Sequence, residues 1–229
     1  KLKVHTTKAA SAVITASYGP VVQNVTVTVA DGRFWYSLGN GLGNGLDNNW
    51  YLDGNNASVV SSDGNKTTVQ MGSGYRGDLW LARSGKGKIV NVTPADYRYF
   101  AIKVGFKSQL VPGKNKPNGC IKLEIFDDGI KKIGPEYFGT GGDANNRYEI
   151  LGASEISTTE PNVLYYDLQS KYKTVTPTDW NQVFDLVQCK FVIADFPETA
   201  QTYDLYWIRS FKSIEELQAF VDSENNTNE

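Results

Sequence analysis

Proton-shuttling and metal-gripping side chains are scarce in this sequence. Its 229 residues include one histidine, His5, two cysteines and a single methionine. His5 lies in a polar stretch of Lys, Thr, Ala and Ser with weak periodicity, so Ser-His or Cys-His catalysis would have to draw on the least patterned part of the chain. Cys120 and Cys189 are too few for a disulfide scaffold and too far apart in sequence for a metal-binding pair. Each sits in an apolar, strand-like run, where a free thiol behaves as a small buried hydrophobe; a bond between them stays open. No apolar run approaches the length that spans a bilayer, so no part of this chain is expected to enter a membrane. The net charge is −2, with acids and bases interspersed. The basic stripe that nucleic acid requires for phosphate contacts is missing.

Aromatic rings and amides, in contrast, are plentiful: five Trp, thirteen Tyr and ten Phe. Several rings stand beside Asn, Gly, Asp or Arg in loop-like sequence, as in Asn49-Trp50-Tyr51, Tyr75-Arg76-Gly77-Asp78-Leu79-Trp80 and Asp179-Trp180-Asn181. A ring flanked by amides and carboxylates suits a sugar, whose C–H face packs on the ring while its hydroxyls hydrogen-bond around the edge. The pattern points to binding ahead of catalysis.

The length suits a single all-β domain with one sizeable core. Residues 1–20 read as a tail or linker, 21–222 as a single β-sandwich domain and 223–229 as a frayed end. Val25, Val27 and Val29 alternate with Thr26 and Thr28, which predicts a strand turning at Asp31-Gly32 into Phe34-Trp35-Tyr36. Gly39 to Asn56 reads as a structured surface loop, because Gly and Asn tolerate left-handed backbone angles. Further strands are predicted at Thr67–Met71, Leu79–Arg83, Tyr97–Phe106, Cys120–Phe126, Val163–Leu168, Phe184–Ala194 and Tyr203–Phe211. In Tyr97–Phe106, Phe100, Ile102, Val104 and Phe106 share one face, and Tyr99, Ala101 and Lys103 the other. Ser213 and Glu216 have capping-box spacing and open a helix over 214–222, with Ile214, Leu217, Phe220 and Val221 as its apolar stripe. The expected fold is all-β: an antiparallel two-sheet β-sandwich, a jelly roll, with one short C-terminal helix.

The candidate carbohydrate-binding residues are Trp50, Tyr51, Tyr75, Arg76, Trp80, Arg83, Tyr137 and Trp180. Trp50 follows Asp47-Asn48-Asn49 in the glycine-rich stretch, and loops on a rigid sandwich tend to carry binding residues. Trp80 lies between Leu79 and Leu81 and so points away from their face. Arg76 and Arg83 add forks that grip hydroxyls or a uronic acid; a surface salt bridge is the competing explanation. No catalytic residue is assigned. Glycoside hydrolysis needs two carboxyls about 5 to 10 Å apart, and the densest acidic cluster, Glu124 with Asp127 and Asp128, runs into a turn. Neither a metal nor a cofactor is assigned. The oxygen-rich segments Asp47/Asp53/Asn55 and Asp143/Asn145/Asn146 leave a structural calcium as an alternative.

The stretch Tyr203-Asp204-Leu205-Tyr206-Trp207-Ile208-Arg209-Ser210-Phe211-Lys212-Ser213, followed by a short acidic helix, resembles the ending of jelly-roll carbohydrate-binding modules and related surface domains of gut Bacteroidetes. The similarity extends back to Asn49-Trp50 and takes in Asp53-Gly54-Asn55-Asn56-Ala57 and Phe100-Ala101-Ile102-Lys103, leaving residues 1–30 outside. In such modules the closing strand carries paired Asp residues, one near a structural calcium. Leu205-Tyr206-Trp207-Ile208 stands there in this chain and argues against calcium at that place. The resemblance implies an extracellular or cell-surface, glycan-handling protein, one module of a larger lipoprotein or enzyme; the expected partner is a polysaccharide or oligosaccharide, and the chain is expected to be a monomer. A glycoside hydrolase or lyase, and an adhesin-like protein-binding domain, are the rival readings.

Overall fold

The computed structural model describes residues 10–29, 33–43, 50–52, 57–72, 77–83, 86–87, 90–92, 96–109, 122–126, 148–169, 184–186, 188–193 and 201–226. The strands are, in chain order, β1 (Ala10–Tyr18), β2 (Val21–Val29), β3 (Trp35–Ser37), β4 (Tyr51–Leu52), β5 (Ala57–Ser62), β6 (Thr67–Met71), β7 (Gly77–Arg83), β8 (Lys86–Gly87), β9 (Val90–Val92), β10 (Tyr99–Phe106), β11 (Lys122–Phe126), β12 (Glu149–Ile150), β13 (Asn162–Asp167), β14 (Phe184–Leu186), β15 (Gln188–Ile193) and β16 (Thr202–Phe211). A helix, α1 (Ile214–Asn226), follows the last strand. Among the described residues no helix is long and apolar enough to cross a membrane.

Two antiparallel sheets carry the fold. The larger runs β12-β13-β10-β16-β6-β5, with β3 also paired to β16; the smaller runs β11-β15-β7-β4, with β8 on β7. Their inner faces meet in one core, to which β10 gives Phe100, Ile102, Val104 and Phe106 while β7, β11 and β15 give Leu79, Leu123, Phe191 and Ile193. Alternation along β10 does this directly, because its other face (Tyr99, Ala101) packs in a second apolar cluster under the helix. The chain is thus an antiparallel β-sandwich with one C-terminal helix among the described residues, as its periodicity predicts.

β16 organises the larger sheet. β10 lies along one edge, and β6 and then β3 share the other. Opposite Lys103 and Val104 the register skips a residue. The bulge turns Tyr206 and Trp207 to the same outer side, while Tyr203, Leu205 and Ile208 stay in the core. At the edge Gly39 admits no side chain, since a Cβ there would lie 2.2 Å from the Gly64 carbonyl oxygen. The two glycines bind directly, Gly64 N–H donating to Gly39 O at 3.0 Å.

Three expectations need correction. Residues 10–18 form a strand and not a tail, because β1 pairs over its whole length with β2 in a two-stranded sheet of their own. β3 therefore pairs with β16 and does not return along β2. The helix runs to Asn226, past the predicted end at 222. Its start is as expected, with Ser213 Oγ accepting Glu216 N–H at 3.2 Å and Glu216 accepting Lys212 N–H at 2.7 Å. The extra turn forms because Glu224 reaches back to the sheet, accepting from Trp207 Nε1 at 3.0 Å and Lys103 Nζ at 3.1 Å. Glu224→Ala is expected to lower stability by about 1–2 kcal/mol. It should also speed amide exchange over 222–226 more than over the first helical turn; uniform exchange along the helix would contradict the pinning role.

Candidate functional site

The smaller sheet separates its two faces by residue. Leu79 and Phe191 point into the core, while their neighbours Trp80 and Lys190 alternate to the opposite side. Strand register draws these outward positions into a line: Tyr51 of β4 pairs with Trp80 of β7, Trp80 with Lys190 of β15, and Lys190 with Glu124 of β11. The Lys190 ammonium stands 4.4 Å from the centre of the Trp80 ring. Lys190 is 7% exposed and Trp80 6%. Lysine is rarely buried so deeply, and a desolvated ammonium over an indole is worth about 2 kcal/mol. Tyr51 is half-buried at the end of the row. Of the three, the Tyr51 phenol keeps surface to offer, while the indole and the ammonium are covered.

The outer face of the larger sheet carries a different arrangement. Tyr165, Ala101, Arg209 and Trp35 are successive register partners across β13, β10, β16 and β3. The Arg209 guanidinium lies 4.4 Å from the ring centres of both Trp35 and Phe220, and Arg33 stacks on Trp35 at 3.8 Å. Burial pulls the Arg209 guanidinium below its ordinary range and Arg33 adds to this, while Glu224 opposes it. Trp207, Phe211 and Phe220 pack edge-on or tilted at 5.5 to 6.2 Å beneath the helix. This stack fastens α1 to the sheet, and with two guanidiniums against the ring of Trp35, the 41% exposure of that indole does not make it an open platform. Beside the helix Tyr99 meets Tyr165 at 6.1 Å, and Arg98 grips Asp167 through two hydrogen bonds of 2.6 Å.

The eight predicted binding residues divide unevenly. Tyr51 and Trp80 are adjacent register partners. Trp80 faces away from the core, as its alternation predicts, but it is buried, so the expected open platform is corrected there. Trp50 is corrected outright: it is 0% exposed, packed edge-on against Tyr36 at 6.0 Å and tilted against Phe191 at 5.8 Å. Its glycine- and asparagine-rich approach ends at β4, and the indole enters the core where that strand begins. Arg83 closes β7 opposite Lys86; its side chain, with Tyr75, Arg76, Tyr137 and Trp180, lies outside the described residues. The same holds for Cys120 and for both oxygen-rich segments. Sequence reasoning missed Lys190, which reads as one lysine in an apolar run. Its signal is the alternation Lys190, Val192 against Phe191, Ile193, which sets it on the outer side of β15.

A family model described as "Domain of unknown function (DUF4979)" matches residues 41–217. The chain belongs to this family. In the DUF4979 domain the match takes in Tyr51, Trp80, Lys190 and β16, and it leaves out β1, β2, β3 and most of α1. Among solved structures the chain is similar to CBM86, a low-affinity xylan-binding module from the xylanolytic gut symbiont Roseburia intestinalis. The identity is 12%, the similarity covers 90% of this chain and 98% of that one, and the TM-score is 0.34. No curated protein matches.

Proposed function

We propose that this domain binds a polysaccharide without cleaving it, and that the sugar lies along the outer face of the smaller sheet at the Tyr51–Trp80–Lys190 row. The observation that carries this reading is the row itself. Two aromatic side chains and an amine stand in register across three strands, on the face turned away from the core. Tyr51, half-buried at the end of the row, is the ring that offers surface to the sugar, and the buried Trp80 and Lys190 back it from the neighbouring strands. Along the row the carboxylate position is Glu124, and Asp78 stands two residues before Trp80 on the same face of β7; glycoside hydrolysis needs two carboxyls held across one bond. Asp167, Asp204 and Glu224 are tied into ion pairs of the larger sheet.

Binding of this kind is modest, because desolvating the hydroxyls opposes the gain from burying the sugar's apolar face. Affinity electrophoresis against soluble polysaccharides, xylan among them, followed by calorimetry on those that retard the domain, tests the reading. Tyr51→Ala is expected to weaken binding fivefold or more, equivalent to about 1 kcal/mol. Lys190→Met keeps the apolar stem over Trp80 and removes the charge; it should lower stability by up to about 2 kcal/mol as the ammonium–indole contact is lost, and at a temperature where the variant is folded it should weaken binding. Wild-type affinity in both variants would move the site elsewhere. Release of reducing sugar, abolished by replacing Glu124, would overturn the noncatalytic reading.

A further inference from the structure

The β1–β2 hairpin is the least explained part of the molecule. Every residue from Val13 to Thr26 is exposed, among them Val13, Tyr18, Val21, Val22 and Val25 at 57 to 90%. The two strands pair in nine consecutive positions without a register shift, and among the described residues neither pairs with another strand. A two-stranded hairpin is marginal alone; stability comes from a third strand or a covered face.

The register sorts its side chains. Ile14 pairs with Val25, Ala16 with Gln23 and Tyr18 with Val21, which gives one largely apolar face. Val13 pairs with Thr26, Thr15 with Asn24 and Ser17 with Val22, which gives a mixed face; there Thr15 Oγ1 donates to Asn24 Oδ1 at 2.8 Å. The whole stretch from Ala10 to Val29 contains no Asp, Glu, Lys, Arg or His, in a chain that is 21% charged. Charged residues are the usual guard of exposed strands, and this pair has none.

We propose that the hairpin is a self-association surface, and that its occupant is the hairpin of a second copy of this chain, apolar face on apolar face. The absence of charge favours an identical partner. Two copies of one face meet with no like charges to repel, whereas a different partner chosen by charge would find nothing to read. Side-chain size adds to this. Along the face, bulky Ile14–Val25 and Tyr18–Val21 flank the smaller Ala16 beside flexible Gln23, so a copy related by a two-fold axis seats its bulky pair in the gap. From strand spacing and rise the face covers about 300 Å² per copy, well below the roughly 800 Å² per partner of a stable interface. The dimer is accordingly weak and concentration-dependent.

Sedimentation velocity on the whole chain, from about 10 µM to about 1 mM, should show the apparent mass rising toward double. Ile14→Lys together with Val25→Lys should hold it at the monomer mass, while Thr26→Lys, on the other face, should leave the rise unchanged. Because lysines on so marginal a hairpin can unfold it, a second measurement uses the unaltered protein: amide protection over 13–26 should grow with concentration, more than in the rest of the chain. A monomer throughout the range, equal loss with Thr26→Lys, or protection growing elsewhere would each overturn the proposal. None of these results depends on glycan binding at the Tyr51–Trp80–Lys190 row.

Discussion

Trp50→Ala is expected to cost about 3–5 kcal/mol of folding stability, read as a shift of the urea midpoint with an unchanged slope. The indole is wholly buried and belongs to the core cluster that joins the two sheets, with Tyr36 on one side and Phe191 on the other. Removing it leaves a cavity at the place where the larger sheet's edge strand β3 faces β15 of the smaller one, and neither sheet can close the gap without breaking its own register. Any loss of glycan binding should match the fraction unfolded, so at a temperature where the variant is folded its affinity should equal that of the wild type. A stable variant that binds no sugar would return Trp50 to the ligand site. Trp50→Phe refills part of the volume between Tyr36 and Phe191, and should recover roughly half the loss.

That residue also shows where reading the sequence succeeds and where it stops. Strands with strict alternation are legible. Phe100, Ile102, Val104 and Phe106 point inward and Tyr99 and Ala101 outward, because a period of two fixes the face of every residue once one is known. The same logic puts Trp80 on the side opposite Leu79. Burial is another matter. Alternation gives the direction of a side chain but not what covers it, and Trp80 is covered. Trp50 misleads because its neighbours Asp47, Asn48 and Asn49 speak for a loop, whereas its contacts come from Tyr36 and Phe191, far away in sequence. The row itself is half legible: Tyr51 and Trp80 stand among the candidates, but their pairing with Lys190 depends on the register of β7 against β15, which follows from the assembled sheet. β1 escapes for a related reason. Ala, Ser and Thr alternate with few large side chains, so its strand character shows only against the valines of β2. The helix end escapes because Glu224 is polar, and its partners Trp207 and Lys103 are strangers to it in sequence.

Asp204→Ala, on the outer face of the larger sheet, should cost about 3 kcal/mol, with an effect that depends on pH. Asp204 sits on β16 with its side chain 1% exposed, and its carboxylate accepts from Lys66 Nζ at 2.8 Å and Thr68 Oγ1 at 2.7 Å while Lys107 Nζ lies 2.9 Å away. Burial alone would raise its pKa. The hydrogen bonds from Lys66, Thr68 and Lys107 outweigh burial, and hold the group below the ordinary value of 3.8. The hydrogen bond that Lys66 donates to Asp204 in turn lifts Lys66 above 10.5, against the opposing effect of its own burial. The direction of each shift fixes the sign. A carboxylate with a depressed folded pKa stabilises the fold above its unfolded value, and that stability drains away as the pH falls from about 3.8 through the folded value. For the raised lysine the contribution is complete below 10.5 and is lost as the pH rises past it. The gap in urea midpoint between wild type and Asp204→Ala should therefore be widest and flat from weakly acidic to weakly alkaline pH, and should narrow on either side of that plateau. Asp204→Asn keeps the shape and the acceptor for Thr68 but not the charge. It should lie between the two and lack the acid-side slope. An undiminished gap at pH about 2.5 would show that Asp204 stabilises the sheet through packing, and that its charge contributes little.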